Sequence, residues 1–481
     1  MGGSAGSEVQ ANSLRYVFFA ILGLLAAPIA PAAVAASGTE LHGLAATARS
    51  ILGADQGVYI EAADGTVLLA QAADKPVHPA SVSKVPTTLA LLRKLGPEHR
   101  FTTTFTAKGR VLDGTLYGDL LVASDGDPSL VDEDALLVAE RLKQAGISRV
   151  AGELRLQGPL IFDWKSDTDG MLLRRALSGV TTHAALETVM ALETAASPSP
   201  AATDSASLAH GSSDRAASDR AASEGTPSGG EEIPGGDGLA HGSSGLHSFG
   251  IGFATATTWP VQAARPADTV AGARVLELLG DHPLVVHHSQ PLLSLVKSLN
   301  DYSNNIFAPF ADAAGGVSAV EALARSVLPV EMRSEIILGD GAGADPSNRL
   351  SPRAAVKLLR VLEQELASSG HALCDILPVA GVDQGTLRDR LNGPGEVGHV
   401  LGKTGTFGDY GASALIGAIP TSDRGTVYFA ILDHDVPVPR ARQHQDQFVR
   451  ALLAQLHSVP WNYQPDLRPA VARAQITTSP R

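Results

Sequence analysis

Ser81-Val-Ser-Lys84 sets a hydroxyl and an amine three residues apart, so on a helix both project to one side. An amine held neutral there can take the hydroxyl proton and turn the serine into a nucleophile for acyl transfer. Val85, Leu89 and Leu92 follow as an apolar face, and Gly96-Pro97 supplies a stop. Ser81 therefore opens a helix, where its backbone N–H is free to point at a developing oxyanion. Two further patterns fit such chemistry: Ser303-Asn-Asn305, and Lys403-Thr-Gly405 in a strand-like stretch. Gly405 shares a strand face with Lys403, and its missing side chain permits close approach of another backbone or a substrate. Thr404 and Thr406 add hydroxyls suited to gripping a carboxylate.

Each pattern alone is cheap. The first also occurs at Ser294-Leu-Val-Lys297 and the second at Ser298-Leu-Asn300, where solvated or packed helical residues are the better reading. For Ser81 the bland alternative is an N-cap serine followed by a surface lysine, and for Lys403 an exposed strand ending in a turn. Pro86 is awkward, because an interior proline costs a helix about 3 kcal/mol unless it falls in the first turn. His282, His287 and His288 cluster in sequence but lack zinc-protease spacing, so no metal is assigned. No glycine-rich phosphate loop stands where a strand meets a helix, and no cofactor is expected.

The elements that must position these residues can be read from periodicity. Phe101–Thr106, Leu116–Val122 and Val150–Leu156 are strand-like, with a helix over Leu136–Gly146. Leu292, Leu295, Val296, Leu299, Tyr302 and Ile306 recur at helical spacing, and Ser351-Pro352 opens a helix over Pro352–Glu365. Val397–Thr406, Ala412–Ile419 and Thr426–Leu432 follow as strands, which implies an antiparallel sheet with helices on it.

With 481 residues, 44% of them hydrophobic, the chain has material for more than one core. A formal net charge of −13 leaves no basic surplus for nucleic acid or anionic lipid. Arg15, the apolar run Tyr16–Ala27 and Ala33-Val34-Ala35 predict a signal peptide over residues 1–35, hence an exported, periplasmic or extracytoplasmic protein. A retained anchor is the alternative; the apolar run is short of the roughly 20 residues that span a bilayer. Cys374, the single cysteine, excludes an internal disulfide and reads as a buried inert thiol. Residues 196–248 are almost all Ala, Ser, Gly, Pro, Asp and Glu, repeat Leu-Ala-His-Gly-Ser-Ser at 208 and 239, and read as a disordered low-complexity loop.

The three patterns occur in the order known for penicillin-binding proteins and class A β-lactamases. More of the chain carries the likeness: Leu95-Gly-Pro97, Gly126-Asp-Pro128, Ser289-Gln-Pro-Leu292, Asp340-Gly-Ala-Gly343, Leu377-Pro-Val-Ala-Gly381 and Lys403-Thr-Gly-Thr406. From about residue 50 to 455 the chain resembles the class C low-molecular-mass penicillin-binding proteins, the D-alanyl-D-alanine carboxypeptidase/endopeptidase family. The resemblance implies an α/β (α+β) fold: a DD-peptidase/β-lactamase-like catalytic domain, antiparallel sheet flanked by helices, split by an inserted strand-rich domain. Residues 36–105 and 285–465 would form the catalytic domain, 106–284 the insert, and 466–481 a polar tail.

It also implies roles. Ser81 would attack the D-Ala-D-Ala carbonyl of peptidoglycan stem peptides with Lys84 as base, kept neutral with help from the Lys403 charge. Ser303 would relay a proton to the leaving group and Asn305 hold the substrate amide. Lys403, Thr404, Gly405 and Thr406 would bind the terminal carboxylate, and the N–H groups of Ser81 and Thr406 form the oxyanion hole. β-Lactams would leave a slow ester on Ser81, and a homodimer is left open. The chain departs from the family's Asp-Gly-Ser-Gly, having Ala342 in place of the serine. The alternatives are a catalytically weak cell-wall-binding scaffold and a β-lactamase, the latter without a carboxylate to activate water.

Overall fold

The computed structural model describes residues 41, 43–196, 250–253, 275–278, 282–303, 307–408 and 411–479. The signal peptide, the low-complexity loop and Asn305 lie outside these residues.

Five strands form an antiparallel sheet in the order Leu401–Phe407, Ala412–Thr421, Gly425–His434, Gly57–Glu61, Val67–Gln71. The two ends of the chain meet in its middle, with Ile60 opposite Phe429 and Tyr59 opposite Ala430. Leu401–Phe407 takes the edge, with Lys403 opposite Ile416 and Gly405 opposite Ala414, and its start is bridged on the outer side to Val379. The sequence expectation of a strand from Val397 starts too early, because 397–399 lie in a turn.

Two helices pack together on this sheet. Lys84–Leu95 begins at Lys84 itself, so Pro86 falls in the first turn, where no intrahelical N–H is required, and the sequence conflict disappears. Gly96, at φ 84°, ends it. Pro352–Ser368 is capped by Ser351, whose side chain accepts from the Ala354 N–H at 3.1 Å. Its buried Ala355, Leu358, Leu359, Leu362 and Leu366 share a core with Leu89, Leu91, Phe307, Phe310, Ile416 and Ala430.

A second core gathers Phe105, Leu116, Leu120, Val122, Leu142, Val150, Phe162 and Val285 beneath an eight-stranded sheet. Thr102–Leu112 and Thr115–Ser124 form its central hairpin, longer than the sequence suggests. The single strand expected over Val150–Leu156 is two, Arg149–Val150 and Leu154–Gln157, broken where Gly152 packs against the Gly118 backbone. The helix expected over Leu136–Gly146 begins earlier, at Asp132.

This sheet also draws strands from both sides of the expected segment boundaries. Val285–His288 pairs with Thr102–Phe105, so the residues on both sides of the expected boundaries join the second sheet. The stretch 466–481, read as a polar tail, contributes the strand Gln475–Thr478, paired with Val285–His288. Alternating Gln475, Ile476, Thr477 and Thr478 is too short and polar a run to announce itself as a strand; its partner decides it.

Candidate active site

Ser81 sits in the 3₁₀ turn Ala80–Ser83 that leads into the Lys84–Leu95 helix, so the serine and lysine lie on consecutive turns of one rod. Lys84 Nζ donates to Ser81 Oγ at 2.8 Å and to the Ala342 carbonyl at 2.6 Å. Burial pushes the Lys84 amine down to about 7, against the pull of the nearby Asp340 carboxylate. The help expected from the Lys403 charge does not figure in this lowering, which comes from desolvation.

Ser303 terminates the Leu292–Tyr302 helix in a left-handed conformation, φ 56°. That reversal turns its hydroxyl away from the helix and towards the edge strand, where Lys403 Nζ donates to Ser303 Oγ at 2.8 Å and to the Thr404 carbonyl at 2.7 Å. Lys403 is fully buried, and its amine is held well below the ordinary lysine value, first by burial and then by the Lys84 charge. Asp301, two residues before Ser303, opposes that effect; its own carboxyl is pushed up to about 7 by burial despite Lys297 at 3.8 Å.

Gly405 is where the edge strand meets the Ser81 turn. A Cβ there would stand 2.8 Å from the Pro79 carbonyl, 3.0 Å from Ala80 Cβ and 3.1 Å from Ser81 N, so only glycine lets the strand lie against the Ser81 backbone. Thr404 is buried beside it and Thr406 is exposed at the strand's end.

Thus two hydroxyl–amine pairs, Ser81 with Lys84 and Ser303 with Lys403, converge from the three sequence patterns. The decoys do not join them. Lys297 donates to Asp383 at 2.6 Å and to the Cys374 and Leu377 carbonyls, Ser298 bonds the Ser294 carbonyl, and Asn300 bonds the Ile376 carbonyl. Cys374 is buried, which raises its thiol pKa.

Several supporting residues escaped the sequence argument. Ala80 adopts φ 47°, a conformation alanine resists, and its N–H donates to His78 Nδ1 at 3.2 Å. His78 stacks on Phe407 at 3.9 Å, tying the approach to Ser81 to the end of the edge strand. Gly343, at φ 90°, has no room for a Cβ against the Ala80 carbonyl. The Asp340 carboxylate accepts from the N–H groups of Gly343, Ala344 and Asp345 and from Asn348 Nδ2, folding this loop so that the Ala342 carbonyl faces Lys84. The loop's contact with Lys84 is therefore backbone, which having Ala342 in place of a serine leaves intact. Arg442 donates to Thr406 Oγ1 at 2.8 Å; nothing near it in sequence marks it out.

In the second sheet His287 is fully buried, with Nδ1 2.8 Å from Asp127 Oδ2 and Nε2 3.2 Å from Asp134 Oδ1. It joins two aspartates and no other histidine, with His288 on the opposite face of its strand, its Nδ1 3.2 Å from Thr102 Oγ1.

The profile of the D-Ala-D-Ala carboxypeptidase 3 (S13) family matches residues 40–172 and 259–455. A D-alanyl-D-alanine carboxypeptidase of Actinomadura sp. (strain R39) is 28% identical over 509 residues, 92% of this chain and 90% of that protein. A penicillin-G-acylated predatory endopeptidase of Bdellovibrio bacteriovorus shares the fold with a TM-score of 0.58 at 19% identity, over 88% of this chain and 99% of that one. Penicillin-binding protein 4 of Haemophilus influenzae, in complex with a β-lactam, does so with a TM-score of 0.54 at 16% identity, over 85% and 98%. Matched on both sides of its low-complexity segment, with the paired serines and lysines in place, this chain belongs to the D-Ala-D-Ala carboxypeptidase 3 (S13) family and is a serine-type D-Ala-D-Ala carboxypeptidase.

Proposed function

We propose that Ser81 is the acylated nucleophile and Lys84 its general base, acting on peptidoglycan stem peptides outside the cytoplasm. The observation that carries this is the 2.8 Å bond between a buried Lys84 amine, lowered to about 7, and the Ser81 hydroxyl. A neutral amine at that position takes the hydroxyl proton as Ser81 Oγ bonds to the D-Ala carbonyl carbon. The carbonyl oxygen, now negative, is received by the N–H groups of Ser81 and Thr406. Collapse of the tetrahedral species breaks the C–N bond, and the proton reaches the departing amine through Ser303, oriented by Lys403. Asn305 holds the substrate amide. Thr404, Gly405 and Thr406 line the end of the cleft that takes the terminal carboxylate; Lys403, spent on Ser303 and Thr404, contributes from beneath. Water then hydrolyses the ester on Ser81.

A β-lactam presents the same carbonyl–carboxylate pair and would acylate Ser81 without ready release. Residues 102–288 with the strand Gln475–Thr478 are read as the inserted domain, and residues 1–35 as a signal peptide.

The test is release of D-alanine from a synthetic peptide ending in D-Ala-D-Ala. Wild type releases it, and Ser81→Ala, folded by its circular dichroism, does not. Folded wild type that releases none would favour a wall-binding scaffold.

A further inference from the structure

In the acylation proposed above, the two N–H groups that receive the oxyanion belong to different elements: Ser81 to the Ala80–Ser83 turn, Thr406 to the Leu401–Phe407 edge strand. Such a pair stabilises a transition state only while its spacing is held to about half an ångström. Gly405 sets how closely turn and strand can approach, but a residue without a side chain cannot hold them there.

His78 touches both. Its Nδ1 accepts from the Ala80 N–H at 3.2 Å, so the proton of the neutral ring sits on Nε2, which donates to the Asp345 carbonyl at 3.0 Å. Burial lowers its pKa, with Arg349 adding to the effect and the Asp340 and Asp345 carboxylates opposing it, and so favours that neutral form. The ring also stacks on Phe407, with centroids 3.9 Å apart and planes 28° from parallel. Ala80 directly precedes the first oxyanion donor, and Phe407 directly follows the second. The Ala80 bond further pins a residue at φ 47°, whose carbonyl Gly343 covers from the other side. Through Asp345, the same ring holds the loop that presents the Ala342 carbonyl to Lys84.

Resting on the peptidase reading above, we propose that His78 is a positioning residue for the reaction: a neutral imidazole, protonated on Nε2 and stacked on Phe407, that fixes the separation between the Ser81 and Thr406 N–H groups. An interaction of this kind counts in the transition state, so its loss falls on kcat and leaves KM in place.

The experiment follows D-alanine release from diacetyl-L-Lys-D-Ala-D-Ala by wild type, His78→Ala, His78→Asn, Phe407→Leu and the double variant His78→Ala/Phe407→Leu. Rates are expressed per site that benzylpenicillin labels after long incubation, which removes any misfolded fraction. His78→Ala should lose roughly ten- to a hundredfold in kcat, less than deletion of an oxyanion donor outright, with KM within about twofold. His78→Asn, whose Oδ1 can accept from the Ala80 N–H, should recover part of that loss. Phe407→Leu should also lower kcat, and the double variant should be no slower than His78→Ala, because both changes break one contact. Where His78→Ala does not fold, the same cycle is built on His78→Asn with the same expectation. Three results overturn the proposal: kcat unaltered in the His78 variants; a loss carried by KM; or losses from His78 and Phe407 that multiply in the double variant, as two independent structural defects would. Each of these requires an active wild type. Wild type that releases no D-alanine overturns the peptidase reading itself, and the proposal with it.

Discussion

Replacing Lys84 by methionine keeps the length of the buried side chain and removes its charge. In the folded protein the amine falls from the ordinary 10.5 to about 7 because burial strips its water. At about 1.36 kcal/mol per pH unit, that displacement represents roughly 5 kcal/mol by which a protonated Lys84 opposes folding. The sign follows from proton counting. Between pH 7 and 10.5 the unfolded chain holds this proton and the folded chain does not, so wild-type stability rises with pH. Methionine has no such dependence. It forfeits the bonds to Ser81 and Ala342, worth about 1 kcal/mol each, so the variant should still be the more stable protein at pH 6. Its advantage should then shrink by roughly 2–3 kcal/mol by pH 9. Urea unfolding of both proteins across that range measures it, and the variant should not be acylated by penicillin. A stability difference that stays constant, or that grows with pH, would refute the assignment of a desolvated amine to this site.

Three other outcomes are expected. kcat/KM for peptide hydrolysis should rise through pH about 7 as Lys84 loses its proton and level off above it, in a pre-steady-state or initial-rate profile. Gly343→Ala forces a Cβ against the Ala80 carbonyl at φ 90°; it should cost about 2–4 kcal/mol in unfolding measurements and suppress penicillin labelling more than its stability loss explains. His287→Gln should destabilise by a few kcal/mol, because it breaks the bridge between Asp127 and Asp134. Those aspartates hold His287 up to about 10 against its burial, so the penalty is full below pH 6.5 and fades as pH climbs towards 10. Lys84 and His287 thus tilt wild-type stability in opposite directions over one pH window, and each is visible only in the difference between variant and wild type.

The catalytic half of the fold was legible where periodicity and punctuation agree. Leu89 and Leu92 marked the buried face of the Lys84–Leu95 helix, Ser351-Pro352 the start of the helix it packs against, and the alternating C-terminal runs the edge and central strands. Pairing Gly57–Glu61 with Gly425–His434 was beyond reach, since a strand's partner is chosen by long-range packing and not by local sequence. The short strands of the insert and the Gln475–Thr478 strand were missed for the same reason.

In the site, residues in contiguous patterns were found: Ser81 with Lys84, Ser303, and Lys403 to Thr406. Those that act from a distance were not. His78 reaches the site by stacking on Phe407, Asp340 by gathering backbone N–H groups, and Arg442 from a helix beyond the last pattern. Gly343 carried a usable signal: a glycine in an otherwise compact Asp340-Gly-Ala-Gly343 turn marks a positive φ or a close approach, and here it marks both.

Incubation of the folded protein with benzylpenicillin, followed by intact-mass and peptide mass spectrometry, addresses the account most directly. A single adduct with the mass of the opened lactam is expected on the peptide containing Ser81, absent from Ser81→Ala. An adduct on any other residue, or none on folded wild type, would contradict Ser81 as the nucleophile.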